Sequence, residues 1–373
     1  MTKLQNPFPI EGYAGSEYFC DRVEETKDLL SALANGRNVT LISPRRMGKS
    51  GLIKHMFEIV SREQPEIACF YFDIFHTKNL NDFIQLFATN IIGALDSNIE
   101  KLLSEVVRIF KNSRPTLTPD EVTGIPTLSL DIVQGKEEHT LKEIFDYLKD
   151  SGKRCYIAID EFQQINEYPE KGTEALIRSY IQFLPNVSFV FSGSRKHLMQ
   201  DMFTSPKRPF YQSTQTLPLR EINEKEYCKF AQGFFSSTGR KLPEECFHYI
   251  YESVMGHTWY IQSWLNRLYE IAEGDVTMSE VRLALEKKLR EEDDNFYTYY
   301  RTLTPSQRKV IEGIAREQVV DKPLASAFIK EHNLPATSTV KSCIASLLDN
   351  EFLIEERGEL SVYNRFFMLW LRK

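Results

Sequence analysis

The stretch ISPRRMGKSGL, Ile42 to Leu52, decides the reading of this 373-residue chain. It closes on Gly48, Lys49 and Ser50, as the phosphate-loop pattern G-x-x-x-x-G-K-[ST] does, but Ser43 stands at the first glycine position. Such a loop needs an entering strand, a tight turn with inward N–H groups, a lysine for the β- and γ-phosphates and a hydroxyl for magnesium. The β-branched run NVTLIS (Asn38 to Ser43) supplies the strand. A helix beginning near Gly51 aims its N-terminal dipole at the phosphates. The first loop position mainly has to turn, which Ser43 followed by the φ-locked Pro44 can do, whereas Gly48 must let the backbone approach phosphate closely. Ser43, Arg46, Met47, Gly48, Lys49, Ser50 and Gly51 are therefore the expected nucleotide contacts, with Lys49 also serving catalysis and Ser50 a metal ion.

Further along, RCYIAIDEFQQI places Asp160 and Glu161 directly after the apolar run Cys155 to Ile159. That is the carboxyl end of a strand, where open α/β sheets bind ligands. Asp160 can hold magnesium, directly or through water, and Glu161 can polarise the water that attacks a γ-phosphate. A chance G-K-S triplet or a solvated acidic turn explains either motif alone; the two together point to a nucleotide site. A third stretch, VSFVFSGSRKHL, ends its apolar run on Ser192, Gly193, Ser194 and Arg195. Arg195 is expected to stabilise transition-state charge, the alternative being a surface arginine that opens the next helix.

Five β-rich segments separated by helical patterns predict a mostly parallel sheet covered by helices, an α/β fold: Asn38 to Ser43, Ala68 to Ile74, Cys155 to Asp160, Val187 to Gly193 and Thr214 to Arg220. Turn residues within Arg114 to Ile132 predict an inserted hairpin. After residue 220 the pattern becomes helical, and from residue 301 three helices precede two short strands around Arg357-Gly358, the order of a winged helix. The expected domains are thus 1–220, 221–300 and 301–373. Composition fits globular domains, with 42% hydrophobic and 26% charged residues. The net charge of −6 argues against a general polyanion binder. No signal peptide or apolar run of membrane-spanning length is evident, so the expectation is a cytoplasmic protein without a membrane partner. Six scattered cysteines read as free thiols, and no His cluster shows metal-ligand spacing.

Four motifs in order resemble the archaeal-type ATPase family within the STAND branch of the AAA+ superfamily. They are YFCDRVEE (Tyr18 to Glu25), SPRRMGKS (Ser43 to Ser50), the Asp160-Glu161 strand with SGSR, and MGHTWYIQSWLNRLY (Met255 to Tyr269). The closing VYNRFFMLWLRK is also similar to that family's terminal signature. The resemblance implies an AAA+/ASCE-type P-loop sheet followed by a helical lid and a winged helix. It implies ATP/ADP and Mg2+ as cofactors, Phe19, Asp21 and Arg22 near the adenine, and Gly256 and Tyr260 as lid contacts. It also matches Arg195 to an arginine that this branch carries after its fourth strand. Two positions depart from the pattern: Thr258 replaces a usual proline and Asn364 a usual aspartate. Without any nucleotide, Trp259, Ile261, Trp264 and Leu265 at helical spacing read as core.

The implied function is an ATP-binding protein, a Mg-dependent ATPase acting as a nucleotide-controlled conformational switch. An ADP-held scaffold without useful turnover and a DNA-associated ATPase are the alternatives. Residues 301–373 carry eleven Lys/Arg against nine Asp/Glu, a small surplus for a DNA reader. Expected partners are the nucleotide, a protein partner or a second copy, and DNA through the winged helix.

Overall fold

The computed structural model describes residues 4–95, 113–119, 126–133 and 135–373. The chain divides into two compact units, one running from Glu11 to Glu221 and the other from Ile222 to Lys373, the second also taking the segment up to Ile10.

In the first unit all five expected strands form one parallel sheet: β1 (Val39–Ile42), β2 (Ala68–Asp73), β5 (Cys155–Asp160), β6 (Val187–Gly193) and β7 (Gln215–Pro218). Their order is β2-β5-β6-β1-β7. The three inner strands are buried at every residue, which is why they read as continuous apolar runs; the edge strands alternate. Side chains leave the sheet on alternate sides and build two cores. Ile157, Ile159, Phe189 and Phe191 pack with α3 (Leu80–Leu95), α4 (Glu137–Asp150), α5 (Thr173–Ile181) and α6 (Lys196–Thr204). Tyr156, Ala158, Val190 and Leu41 pack instead with α1 (Val23–Ala34) and α2 (Lys49–Glu63). The expected hairpin is a separate antiparallel pair, β3 (Ser113–Pro119) with β4 (Pro126–Ile132).

This strand order sets the carboxyl ends of β1, β5 and β6 side by side. The three sequence stretches singled out above, remote along the chain, therefore leave the sheet at one edge. Register fixes their spacing, with Ile42 opposite Gly193 and Asp73 opposite Asp160.

The second unit begins with α7 (Glu224–Ser236), α8 (Glu244–Ser253), α9 (Thr258–Ile271), α10 (Met278–Glu291) and α11 (Asp293–Thr302). Ile261, Trp264 and Leu265 are fully buried, as helical spacing predicts, whereas Trp259 is only partly buried. Thr258 is the first residue of α9. A proline is favoured there because its missing N–H would bond nothing; threonine also fits the position, although its hydroxyl is buried with no partner among the described residues. Phe8 is wholly buried against Phe234, Phe235 and Tyr269, and Asn6 and Asn266 exchange bonds with each other's segments, which ties the leading segment to these helices.

The winged helix follows as α12 (Pro305–Glu317), α13 (Ser326–Glu331), α14 (Thr337–Asp349), β8 (Leu353–Glu356), β9 (Glu359–Val362) and α15 (Arg365–Leu371). Arg357 and Gly358 both have positive φ, 54° and 84°, the geometry of a two-residue hairpin turn. Asn364 caps α15 by accepting from Phe367 N at 3.1 Å, work an aspartate would also do. Thr304 and Gln307 form a reciprocal capping box on α12. Thr304→Ala is expected to cost this unit about 1 kcal/mol. Denaturation followed by tryptophan fluorescence measures it selectively, because Trp259, Trp264 and Trp370 all lie in the second unit.

Candidate functional site

The loop leaves β1 at Ser43, which is buried, and re-enters helical structure at Lys49. Between them Arg46 and Gly48 take positive φ, 64° and 95°, so the backbone reverses within a few residues. Only glycine adopts the second of these conformations without strain. Lys49 is 6% exposed, and its ammonium donates to Ser43 O and Pro44 O, both at 2.9 Å, and to Ser43 Oγ at 3.4 Å. Ser43 is thus more than a tolerated turn residue, since its hydroxyl adds a third acceptor for the lysine.

Burial lowers the Lys49 pKa to about 8; attraction from Asp160 and Glu161 offsets part of this, and Arg45 adds to the lowering. A polyphosphate at the loop would favour the charged ammonium. Above about pH 8 binding must therefore take up a proton, and affinity must fall as pH rises further; well below that pH the lysine is already charged and contributes no uptake. Calorimetric titration with ATP at about pH 8.5, in two buffers of different ionisation enthalpy, reads this uptake directly.

Asp160 ends β5 almost wholly buried. Its Oδ2 accepts from Ser50 Oγ at 2.5 Å and from Tyr71 OH at 2.7 Å, and its Oδ1 accepts from Ser192 Oγ. Burial by itself would raise the carboxyl's pKa. The three hydroxyls and the Lys49 charge outweigh it and hold the group below the usual aspartate value. Ser50 and Asp160 thus present facing oxygens from two elements, an all-oxygen pair of the kind magnesium takes.

Glu161 follows in a left-handed conformation, φ 55°, unusual for a residue with a side chain. Its Oε2 accepts from Ser194 Oγ at 2.8 Å and from Gln163 Nε2. Ser194 in turn accepts from Arg45 Nε at 3.2 Å, so the loop, β6 and the acid are joined in one chain of bonds. Arg195 flanks α6 and pairs with Glu167 at 3.0 Å.

On the other side of α2, Phe19 lies over Gly51, where an added Cβ would come within 3.3 Å of the ring, and stacks on His55 at 4.5 Å. Tyr13 crosses Phe19 edge-on and bonds Glu58 at 2.5 Å and His55 at 2.9 Å. Burial lowers the His55 pKa, and burial with Glu58 raises that of Tyr13. Arg22 is buried with φ 63°, pairs with Glu25 at 2.8 Å and donates to Met47 O at 3.2 Å, so it braces the phosphate loop from behind. Met47 itself is buried.

The structure brings Ser43, Lys49, Ser50, Asp160, Glu161 and the β6 serines to one edge of the sheet, with Phe19 and Arg22 flanking the loop. Gly256 and Tyr260 belong to the second unit. There Gly256, φ 67°, closes the turn after α8, and Tyr260 is buried edge-on to Phe366. Two residues of the constellation escaped sequence reasoning, Tyr71 and Gln163. Arg208 is committed to Glu174 at 2.8 Å and Asp201 at 3.4 Å. Two histidine–acid groupings that sequence spacing did not reveal, Glu224–His248–Glu252 and Glu317–Glu331–His332, come together on the second unit. Among the described residues no helix is long and apolar enough to cross a membrane.

Residues 19–263 match the model of an ATPase domain predominantly from Archaea, and residues 294–373 match that of a probable winged helix domain. An uncharacterized ATP-binding protein of Methanocaldococcus jannaschii is 26% identical over 181 residues, and the match spans about half the length of each, 46% of this chain and 46% of that protein. A Walker-type ATPase of Pyrococcus abyssi superposes with a TM-score of 0.67 at 16% identity, over 98% of this chain and 100% of that one. The ADP form of the Aeropyrum pernix ORC2 protein gives 0.55 at 14%, over 98% of each chain. The ORC1 protein of the same organism, in complex with DNA, gives 0.54 at 13%, over 98% of this chain and 96% of that one. At such identities the likeness to the solved structures is one of fold. The ATPase-domain match, by contrast, spans well over half of the sequence, and the chain belongs to that family of ATPase domains predominantly from Archaea, carrying a winged-helix domain after it.

Proposed function

We propose that the first unit binds ATP with magnesium and hydrolyses it, and that the change from ATP to ADP acts as a conformational switch. The observation that carries this reading is the 2.5 Å bond between Ser50 and Asp160, which joins the end of the phosphate loop to the acid-pair strand. Ser50 and Asp160 would hold the magnesium, which supplies charge neutralisation on the phosphates. Lys49 neutralises the β- and γ-phosphates, and the N–H groups around Gly48 and at the start of α2 receive phosphate oxygens. Glu161 orients and polarises the attacking water, and Arg195, on release from Glu167, reaches toward developing charge.

On the winged helix, α14 shows Ser338, Lys341 and Ser342 to solvent while Val340, Cys343, Ile344 and Leu347 pack inward. One cation among hydroxyls is a poor match to phosphate backbone, which supports a protein-facing role for this domain over a DNA-reading one. The switch is tested by limited proteolysis of the Glu161→Gln variant filled with ATP and of the wild type filled with ADP. Different cleavage patterns in the second unit are expected; the same pattern in both nucleotide states would sink the switch.

A further inference from the structure

Glu161 carries the proposed hydrolysis, yet a glutamate on a turn has several rotamers, and only an anchored carboxylate meets a water repeatedly in one geometry. Two donors anchor it here, and both use the same oxygen. Ser194 Oγ and Gln163 Nε2 bond Oε2, while Oε1 takes no hydrogen bond from the described residues. The carboxylate is therefore fixed by one oxygen and presents the other.

Gln163 is unusually committed to this task. It is 4% exposed, in the short helix Phe162–Glu167 that follows the acid pair. Its Oε1 is buried and has no hydrogen-bond partner among the described residues. A buried amide that leaves its own acceptor unpaired costs stability, and a structural role alone gives no return for that cost. Turning the amide over would set its oxygen against the Glu161 carboxylate, so the donor orientation is the only favourable one. The seat is shaped for it: a Cβ on Gly193 would lie 2.1 Å from Gln163 Oε1 and 2.6 Å from Met199 Sδ. Gly193 closes β6, so the glycine between Ser192 and Ser194 makes room for the glutamine between two serines that bond the acids.

We infer that Gln163, seated against the bare backbone of Gly193, is a positioning residue that holds Glu161 by Oε2 and leaves Oε1 to the attacking water. This rests on the reading of Glu161 as the acid that polarises water, and a double-mutant cycle separates the two claims. Steady-state phosphate release and ATP affinity are measured for the wild type, Gln163→Met, Glu161→Gln and the double variant. Gln163→Met is expected to lower kcat by about 10- to 100-fold with KM and ATP affinity nearly unchanged. In the Glu161→Gln background the same change should have no further effect, because the group it positions is gone. Gln163→Glu fills the same seat and replaces the donor with an acceptor, so its kcat should fall at least as far; it serves where the methionine variant folds poorly.

A wild-type kcat for both glutamine variants, with Glu161→Gln inactive, overturns the inference and leaves the ATPase reading standing. An equal loss in the Glu161→Gln background also overturns it, since the glutamine would then act on the fold. A wild-type rate from Glu161→Gln defeats the underlying reading and is recognised by that variant alone.

Discussion

Steady-state phosphate release from the Glu161→Gln variant is expected to fall by about 10²- to 10⁴-fold, the usual contribution of a group that takes a proton in the transition state. ATP affinity should hardly change. Glutamine keeps the shape and can still bond Ser194, but it has no charge with which to polarise water. The binding groups, Lys49, Ser50 and the Gly48 turn, are contributed by a different stretch and stay in place. The variant should therefore accumulate bound ATP, and the ratio of kcat to affinity separates loss of chemistry from loss of folding. A parallel fall in ATP affinity would mean that Glu161 supports the loop rather than the reaction.

Asp160→Ala carries the largest expected cost to stability. Three hydroxyls converge on this carboxylate, from Ser50, Tyr71 and Ser192, and Ser192 is completely buried. Removing the acceptor leaves these donors without their partner and takes one of two nearby negative charges from the buried Lys49, a loss of about 3 kcal/mol. The pH dependence has a definite sign. The folded carboxyl lies below its ordinary value, so the unfolded chain binds the proton more readily. This contribution is complete above about pH 4 and is lost as pH falls through the folded value. Hydrogen exchange of the β1, β5 and β6 amides is the measurement, and the variant should exchange faster there at neutral pH than the wild type. An unchanged exchange pattern would mean that the three hydroxyls find water or other acceptors at no net cost.

How much of this was legible in the sequence follows from where each interaction comes from. The inner strands β5 and β6 match the expected segments residue for residue, because a strand buried on both faces is mainly apolar and stands out from the polar turns around it. The loop was legible because its chemistry is local: Lys49 bonds residues only five and six positions back. Tyr71 was not, because its hydroxyl reaches Asp160 only through the pairing of β2 with β5, in which Tyr71 stands opposite Ala158. No pattern along the chain encodes that register.

Gln163 was missed for a related reason. Its meaning lies in the contact with Gly193, thirty positions away in a neighbouring strand, and a glutamine after two acids reads as an ordinary polar residue. A signal did exist: Gly193 ends an aromatic-rich strand just where it reaches the edge, and a glycine in a strand can mark a close backbone approach. The segment around Phe8 shows the same limit, since its burial depends on helices more than two hundred residues later in the chain. The ion pair of Arg195 with Glu167 also lies between elements, and it gives that arginine a definite place that sequence position alone could not.

We propose, above all, that this edge of the sheet cleaves ATP. The most direct test is a single-turnover reaction with the full chain in excess over radiolabelled ATP and with magnesium present, quenched at successive times and separated into ATP and ADP. Bound ATP should be converted to ADP by the wild type and persist unchanged on the Glu161→Gln variant. ATP bound by both proteins and left intact by both, or cleaved by both at one rate, would contradict it.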